Sequence, residues 1–409
     1  GGPFDAAAAL AAATTIAAEI RDRAVRTPGS ATWLSVQYVL GAGQYQLRPA
    51  GYPLYHGGTG VALFLAALEH VTGGAGFRDL ALAALDPLRR QLGGPAPGLL
   101  VREDGLGGAS GAGSVVYGLV RTAQWLCEPT LLVAARQAAA LITPAAIAAD
   151  TRLDVAGGVA GAILGLLALY AASGEEAVLD RAEACALHLL VSRRPSAQGP
   201  RAWPTLGGSL LTGLAHGAAG IAYALLRLYA VTGESDFRAA AEEAIAYEAS
   251  LFVPEAGNWP DLRRASDGAT NPDFMTAWCH GAPGIGLARL GGLGVLDTPA
   301  VRADIAAALA TTLAATPEGV DHLCCGNCGR MDLLLAAARH LSRPDLVAAA
   351  QARAAWMLER AAGTGGFYLS PDLPAEIPVP GLFQGTAGIG YTLLRLVYPD
   401  RLPSVLLWE

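Results

Sequence analysis

Three cysteines in the second half of the chain stand immediately upstream of glycine-rich stretches. Cys279 precedes His280 and Gly281, and the adjacent pair Cys324 and Cys325 precedes another glycine. Thiolate sulfur is a preferred ligand of zinc, and a catalytic zinc has three protein ligands and one open position. Backbone N–H groups at a helix start also favour the thiolate form. The spacing therefore predicts one zinc ion held by Cys279, Cys324 and Cys325, with water as the fourth ligand.

Neighbouring residues offer competing arrangements. Cys325 and Cys328 form a Cys-x-x-Cys pair, which is typical of redox pairs and of structural zinc sites. His280 or His322 could replace one thiolate as a metal ligand. Some of the thiols could instead be small buried apolar groups. The residue types alone leave these alternatives open.

Composition limits what the chain can bind. It has 409 residues, of which 53% are apolar and only 15% are charged, and its formal net charge is -7. This balance, without any basic run, argues against nucleic-acid binding. Six cysteines in so long a chain are too few for a disulfide scaffold. The thiols therefore indicate a reducing compartment, and we expect a cytoplasmic location.

Two uncharged stretches, at 155–174 and 202–226, are long enough to span a bilayer. Both are rich in Gly and Ala and contain or adjoin a polar group, Asp154 or His216, so we expect buried helices and no membrane span. The first residues lack the charged segment, the apolar segment and the cleavage site of a signal peptide, so none is expected. The start at Gly1 and Gly2, without Met, is expected for a tag remnant or for a domain cut from a longer chain.

The motif Gly-x-x-Gly recurs seven times at intervals of 45 to 64 residues, each time before an apolar run. Its first glycines are Gly57, Gly108, Gly158, Gly217, Gly281, Gly326 and Gly385. Amphipathic segments such as 235–248 lie between the apolar runs, and β-branched alternation is rare. Such regular spacing predicts a repeat architecture. We expect an all-α fold: an α/α toroid of seven apolar inner and seven amphipathic outer helices over 51–409, after a helical lead-in at 1–50.

A closed ring places every Gly-x-x-Gly motif at one rim, because all inner helices then run in the same direction. The residues just before the glycines would meet at this rim. They are His56, Gly107, Gly157, His216, His280, Cys325 and Gln384, with Cys279, Cys324 and Asp154 slightly further upstream. The polar side chains of an otherwise apolar set of helices would thus cluster where a ligand can enter.

Taken together, these motifs resemble the lanthionine synthetase C-like family of zinc cyclases. The resemblance covers about residues 54–388 and rests on the repeated glycines with Ala215-His216-Gly217, Trp278-Cys279-His280-Gly281 and Cys324-Cys325-Gly326-Asn327. It implies a toroid of seven inner and seven outer helices and zinc ligands at Cys279, Cys324 and Cys325. It also implies acid–base roles for His216 and Asp154. His280 occupies a position that is often Tyr in stand-alone members, and it is the third candidate catalytic residue.

The adjacent Cys324 and Cys325 resemble one branch of this family. Stand-alone members typically have Cys-His-Gly here, whereas a third cysteine is similar to the cyclase domains of class II lanthipeptide synthetases, which have an N-terminal dehydratase domain. The resemblance thus implies a dehydratase domain in the same longer chain. The implied partner is a dehydrated leader–core precursor peptide, in which a cysteine thiolate adds to dehydroalanine or dehydrobutyrine. His216 would protonate the α-carbon of the resulting enolate.

Functions from other classes give competing hypotheses. Some members of the family resemble glutathione-binding or adaptor proteins, so the chain could bind thiols without forming rings. Toroids of this kind also carry glycosidase sites, which need paired carboxylates at the rim. Asp154 has no obvious partner carboxylate there, which argues against a glycosidase.

Overall fold

A computed structural model describes residues 2–39, 44–263, 273–372, 377 and 379–409. The helices are α1 (Ala6–Asp22), α2 (Gly58–Thr72), α3 (Arg78–Gly93), α4 (Leu99–Asp104), α5 (Ala112–Leu126), α6 (Thr130–Ala140), α7 (Pro144–Ala149), α8 (Val159–Ser173), α9 (Glu176–Ser192), α10 (Ala218–Thr232), α11 (Ser235–Ala249), α12 (Ala282–Gly292), α13 (Pro299–Ala314), α14 (Asn327–His340), α15 (Pro344–Thr364) and α16 (Thr386–Val397). The strands are β1 (Val25–Thr27), β2 (Ser30–Thr32), β3 (Leu34–Val39), β4 (Gln44–Pro49), β5 (Arg194–Pro195) and β6 (Arg201–Ala202).

Within the described residues, seven helices line the centre of the molecule and seven more surround them. The inner helices are α2, α5, α8, α10, α12, α14 and α16; each packs against the next, and α16 returns to α2 to close the ring. The outer helices α3, α6, α9, α11, α13 and α15 each cover the inner helix that precedes them, and α1 covers α16. The predicted all-α toroid is confirmed, and the strands are confined to short two-stranded hairpins.

The first uncharged stretch, 155–174, lies largely in inner helix α8, and the second, 202–226, leads into inner helix α10. Most residues of α8 and α10 are buried, because each helix has neighbours in the inner layer on both sides and an outer helix behind it. No helix in the described ranges is both long enough and apolar enough to cross a membrane.

The N-terminal segment differs from the helical lead-in expected over 1–50. Among the residues described in this segment, only those of α1 are helical. Helix α1 belongs to the outer layer because its buried residues recur at helical spacing and face α16. Two antiparallel hairpins follow, β1 with β2 and β3 with β4. Gly29 allows the tight turn of the first hairpin by adopting a φ of 77°. Turn chemistry therefore prevailed over the helical continuation that was predicted.

The glycine motif is explained by close backbone contacts at the rim. A Cβ on Gly284 would lie 2.0 Å from the Trp278 carbonyl oxygen, and a Cβ on Gly329 would lie 2.2 Å from that of Leu323. No other residue type fits at such distances. The second glycine of the motif therefore lets the rim loop pack directly on the first turn of the inner helix.

The second repeat begins three residues later than predicted. Helix α5 starts after Gly111 and not after Gly108. Ser114 therefore takes the place of the second glycine of the motif. The Ser114 hydroxyl donates to the Gly111 carbonyl at 2.7 Å and accepts a backbone N–H from the neighbouring rim loop. The residue directly upstream of the helix-start glycine is consequently Ser110, and not Gly107.

A closed circle of backbone hydrogen bonds joins the rim loops. The residue two positions before each helix-start glycine donates its N–H to the carbonyl of the equivalent residue in the next repeat. The circle runs through Tyr55, Ala109, Ala156, Ala215, Cys279, Cys324 and Phe383 and back to Tyr55, with N···O distances of 2.8 to 3.3 Å. All seven inner helices therefore start at the same rim, and neighbouring loops are held at hydrogen-bonding distance.

The C-terminal residues fill the centre of the toroid beneath this rim. Trp408 is buried, donates from Nε1 to the Gly108 carbonyl at 2.8 Å, and packs against Trp278 with 6.3 Å between ring centroids. The Tyr223 hydroxyl, from an inner helix, donates to the Leu407 carbonyl at 2.6 Å. The middle of the ring is thus a packed core.

Glu409 is held in this core by polar contacts. Burial would raise the pKa of its carboxyl, but the His340 ring at 3.9 Å and the Ser404 N–H at 3.1 Å lower that pKa to about 2. The Tyr117 hydroxyl also donates to the Glu409 carbonyl at 3.1 Å. The ionised side chain therefore stabilises the folded C-terminal segment.

Candidate metal centre and acid–base pair

The three cysteines predicted as metal ligands meet at the rim. The Cys325 Sγ lies 3.5 Å from the Cys279 Sγ and 3.4 Å from the Cys324 Sγ, and all three sulfurs lie within 4.8 Å of one another. Among the described residues, this is the one group of three or more His, Cys, Asp or Glu side chains that converges closely enough to share a metal ion. Cys279 and Cys324 are buried, and Cys325 is partly buried.

Backbone geometry brings these sulfurs together. Cys279 and Cys324 are neighbours in the rim circle, with 3.3 Å between Cys279 N and Cys324 O. Cys325 follows Cys324 within a turn that is closed by the Gly326 N–H donating to the His322 carbonyl at 3.0 Å. This turn allows two adjacent cysteines to present their sulfurs to the same point.

The donor set suits zinc. Three thiolates bound to one tetrahedral zinc at about 2.3 Å place their sulfurs about 3.8 Å apart, and the separations of 3.5 and 3.4 Å are close to that value. The alternative ligands Cys328, His280 and His322 lie outside the converging group. Cys328 is fully buried on α14, and burial raises the pKa of its thiol.

The cluster gives its thiols unequal acidities. Contacts with the Cys279 and Cys324 thiols lower the pKa of Cys325 well below its usual range, because hydrogen bonds from two thiols stabilise one anionic sulfur. Contacts with the Cys279 and Cys325 thiols, together with burial, raise the pKa of Cys324. Burial and the adjacent sulfurs also raise the pKa of the Tyr55 hydroxyl. A cluster with one readily ionised sulfur is prepared to bind a divalent cation.

His216 and Asp154 form a hydrogen-bonded pair at the same rim. The His216 Nδ1 lies 2.7 Å from the Asp154 Oδ2, and the Asp154 Oδ1 accepts the Gly157 N–H at 2.7 Å. Asp154 is buried, whereas 28% of the His216 side chain is exposed. Because the carboxylate binds Nδ1, the ring carries a proton there and its Nε2 is available to a ligand.

His280 packs against His216 and is enclosed. The two ring centroids are 5.8 Å apart with an interplanar angle of 29°, and His280 is only 1% exposed. Its Nδ1 lies 3.9 Å from the Asp261 carboxylate, and neither ring nitrogen has a hydrogen-bond partner among the described residues. Burial and the Arg263 charge lower the pKa of His280 to about 4, so the ring is neutral near pH 7. Its catalytic role stays a prediction, and its burial favours a packing role behind His216.

A buried carboxylate from the outer layer supports the His216 loop. Glu248 on α11 accepts the backbone N–H groups of Gly213 and Ala219 at 2.9 and 3.0 Å, on either side of His216. Its second oxygen pairs with Arg289 at 2.8 Å, and both side chains are almost completely buried. The position of His216 therefore depends on a charge pair that does not itself line the rim.

Two further side chains, Asp150 and Asn258, each support one other rim loop in the same way. Asp150 accepts backbone N–H groups from both arms of the loop that carries Asp154, each at 3.0 Å. Asn258 bonds to both arms of the loop that carries Cys279. No motif in the sequence marks these supporting side chains. The available signal was strongest for Glu248, a carboxylate on the apolar face of an amphipathic helix.

Two cavities open next to these residues. The first, which we call the thiol-side cavity, has a volume of about 560 Å³ and is lined by residues that include Cys325, Tyr55, His56, His322, Val36 and Gln384. The second, the histidine-side cavity, has a volume of about 970 Å³ and is lined by residues that include His216, Asp154, Ser110, Arg194, Val191 and Leu206. The cysteine cluster and the acid–base pair are thus each reached from a cavity of their own.

Comparison with known proteins adds a family and a fold. Residues 48–407 match the family described as "Lanthionine synthetase C-like protein". Among solved structures, nisin cyclase is similar over 87% of this chain and 92% of its own, with a TM-score of 0.61 and 17% identity. The Lin0763 protein of Listeria innocua is similar over 71% of this chain and 84% of its own, with a TM-score of 0.52 and 14% identity.

A GH76 α-mannanase of Bacteroides thetaiotaomicron also matches, over 97% of this chain and 96% of its own, with a TM-score of 0.53 and 12% identity. At such identities these structures establish the shared toroid and nothing about chemistry. The cysteine cluster and the Asp154–His216 pair must therefore be interpreted from their own geometry.

Proposed function

Because this chain belongs to the lanthionine synthetase C-like family, we propose that it is a cyclase that closes thioether rings in dehydrated peptides. The new bond joins a peptide cysteine sulfur to the β-carbon of dehydroalanine or dehydrobutyrine, which gives lanthionine or methyllanthionine. The observation that carries the proposal is the convergence of Cys279, Cys324 and Cys325 within 4.8 Å at the rim that also bears the Asp154–His216 pair.

We further propose zinc as the cofactor, held by Cys279, Cys324 and Cys325. When bound, zinc lowers the pKa of a peptide thiol and so supplies a thiolate near neutral pH. Cys325 lines the thiol-side cavity, which gives a peptide cysteine a path to the cluster. Val36 and Tyr55 contribute apolar surface to this cavity, beside polar side chains such as His56 and Gln384.

His216 is the proposed proton donor. As the sulfur–carbon bond forms, the electron pair of the carbon–carbon double bond moves to the α-carbon and its carbonyl as an enolate. His216 donates a proton to the α-carbon, and the Asp154 carboxylate stabilises the protonated ring from Nδ1 at 2.7 Å. The proton that the peptide thiol releases balances the proton that His216 delivers.

The proposed partner is a dehydrated leader–core precursor peptide. The adjacent Cys324 and Cys325 support a likeness to the cyclase domains of class II synthetases, and hence a dehydratase domain in the same longer chain. All six cysteines are free thiols, which supports a reducing compartment such as the cytoplasm.

The test measures zinc content and ring closure together. Purified protein is analysed for metal and incubated with a dehydrated peptide, and thiols that remain uncyclised are alkylated and counted by mass spectrometry. Wild-type protein should bind about one zinc per chain and consume peptide thiols, and Cys279→Ala and Cys325→Ala should lose both properties. Cys328→Ala is the matched control, because this neighbouring cysteine lies outside the cluster, and it should keep both.

Each outcome separates one hypothesis from another. Full zinc binding by Cys325→Ala would contradict the ligand assignment. Zinc binding without ring closure on any dehydrated peptide would contradict the cyclase function and favour a glutathione-binding or adaptor protein.

A further inference from the structure

The histidine-side cavity extends well beyond the Asp154–His216 pair. Its volume of about 970 Å³ lies at the upper end of the range for pockets that enclose a whole ligand, so it can hold more than the residue that receives a proton. Its inner end is formed by the acid–base pair and Ser110. Its outer end is formed by the C-terminal end of α9, the start of β5 and the turn at Leu206–Gly208.

Arginine side chains give the outer part of this cavity a positive charge. Arg152, Arg193 and Arg194 all contribute to its lining. Arg193 pairs with Glu243 at 2.8 Å, whereas Arg194 is exposed and forms no ion pair with any described residue. The Arg194 guanidinium is therefore available to an anionic group of a ligand.

The carboxylates in the same lining are already engaged within the protein. Asp150 accepts backbone N–H groups from residues of its own loop, and Asp154 binds Gly157 N and His216. Their oxygens are therefore occupied, and the exposed charged side chains of this lining, Arg152 and Arg194, are both positive. This is a local exception in a chain whose net charge is -7.

Exposed apolar residues and bare backbone lie beside the arginines. Val191 is 82% exposed and Leu206 is 47% exposed, and both line the cavity. Gly207 and Gly208 adopt φ values of 67° and 77°, and no atom lies within 4 Å of the Cβ that either would carry. A surface with guanidinium groups, apolar side chains and open space beside a turn suits an extended peptide with acidic and apolar side chains.

We propose that the histidine-side cavity binds the peptide segment that contains the dehydrated residue, and that it favours segments with Asp or Glu next to that residue. The proposal rests on the ring-closing function proposed above, because it requires the dehydrated residue to lie against His216. A carboxylate near Arg194 forms charge-assisted hydrogen bonds, and an adjacent apolar side chain covers Val191. The cysteine-bearing segment of the peptide occupies the thiol-side cavity.

The test measures binding with peptides that cannot cyclise. Two fluorescent peptides contain dehydroalanine and no cysteine, and they differ only in having Glu or Gln next to the dehydroalanine. Fluorescence anisotropy at low salt gives the Kd of each for wild-type protein, Arg194→Glu and Arg339→Glu. Arg339 is the matched control, because it is exposed at the C-terminal end of α14, away from the rim.

We expect wild-type protein to bind the Glu peptide about 5- to 10-fold more tightly than the Gln peptide. Arg194→Glu should abolish or reverse this preference, and Arg339→Glu should retain it. The preference should also shrink as salt is added. Val191→Ser should weaken both peptides equally, by about 2- to 3-fold, and leave the preference intact.

Equal binding of the two peptides by wild-type protein, no binding of either, or an unchanged preference in Arg194→Glu would overturn the proposal. Because the peptides contain no cysteine, these results do not depend on ring closure. A protein that shows the Arg194-dependent preference but closes no rings would contradict the proposed cyclase function and still support the cavity as a peptide-binding site.

Discussion

Replacing Glu248 with Gln tests how the outer layer controls the proposed proton donor. The wild-type carboxylate accepts the N–H groups of Gly213 and Ala219 at 2.9 and 3.0 Å and pairs with Arg289 at 2.8 Å. Gln keeps the shape and one acceptor oxygen, but it removes the negative charge and turns an N–H₂ group towards either the guanidinium or the loop.

The expected loss of stability follows from these contacts. A hydrogen bond to a charged group contributes about 1.5–3 kcal/mol, and removing one member of a buried ion pair costs about 3–5 kcal/mol. Arg289 keeps a second partner, Asp304 at 2.9 Å, so the lower end of that range applies. We expect Glu248→Gln to lower the free energy of unfolding by about 3 kcal/mol. A looser loop also displaces His216, so cyclisation should slow by at least about 10-fold while zinc content is unchanged.

Three measurements check this prediction. Urea unfolding followed by circular dichroism gives the stability, metal analysis gives the zinc content, and alkylation with mass spectrometry gives the cyclisation rate. Glu242→Gln on the same helix is the matched control. Glu242 is exposed and pairs with the exposed Arg238, so the loss of its charge should leave all three almost unchanged. Wild-type stability and rate in Glu248→Gln, or equal effects of the two substitutions, would refute the reasoning.

Three other substitutions test separate parts of the structure. His216→Asn should keep zinc and fold but slow cyclisation by about 100-fold, and a wild-type rate would remove His216 as the proton donor. Gly329→Ala should destabilise the protein by at least about 2 kcal/mol in thermal unfolding, because its Cβ would lie 2.2 Å from the Leu323 carbonyl oxygen. Gly363→Ala is the control, because open space surrounds its Cβ, and it should not destabilise the protein. Glu409 has a native pKa of about 2 against 4.5 for an ordinary carboxyl, so it stabilises the fold above about pH 4.5 and this contribution is lost as the pH falls towards 2. Glu409→Gln should thus be less stable than wild type at pH 7, by up to about 3 kcal/mol, and the difference in denaturation midpoint should shrink across that acid range.

The ring of helices was predictable because packing imposes the glycine spacing. A Cβ on the second glycine of the motif, such as Gly284 or Gly329, would lie about 2 Å from a carbonyl oxygen of the rim loop. A glycine therefore recurs at this position of almost every inner helix. The second repeat shows the limit of this signal. Gly108 and Gly111 match the motif, but the helix starts after Gly111 because Ser114 satisfies the fourth position by hydrogen bonding. A four-residue pattern cannot distinguish two overlapping registers.

The converging side chains were predictable in type, but their supports were not. Cysteine and histidine beside the repeated glycines indicated a site at the rim, and the structure brings these residues together. Glu248 lies on the same helical face as Ala241 and Ala244, so its charge conflicts with an apolar environment. Its partners Gly213 and Arg289 are 35 and 41 residues away in the chain, and only the assembled ring makes that charge useful.

The rim circle explains how one site can combine fixed chemistry with variable substrate choice. Ala156, Ala215, Cys279 and Cys324 are consecutive members of the circle, and Asp154 and His216 lie within two residues of the first two. The spacing between the proposed proton donor and the cysteine cluster is therefore set by backbone hydrogen bonds. Residues such as Arg194 project from segments outside the circle, so they can change without moving the reacting groups. This separation is why Arg194→Glu should alter which peptide is bound, whereas Glu248→Gln should slow the reaction of every peptide.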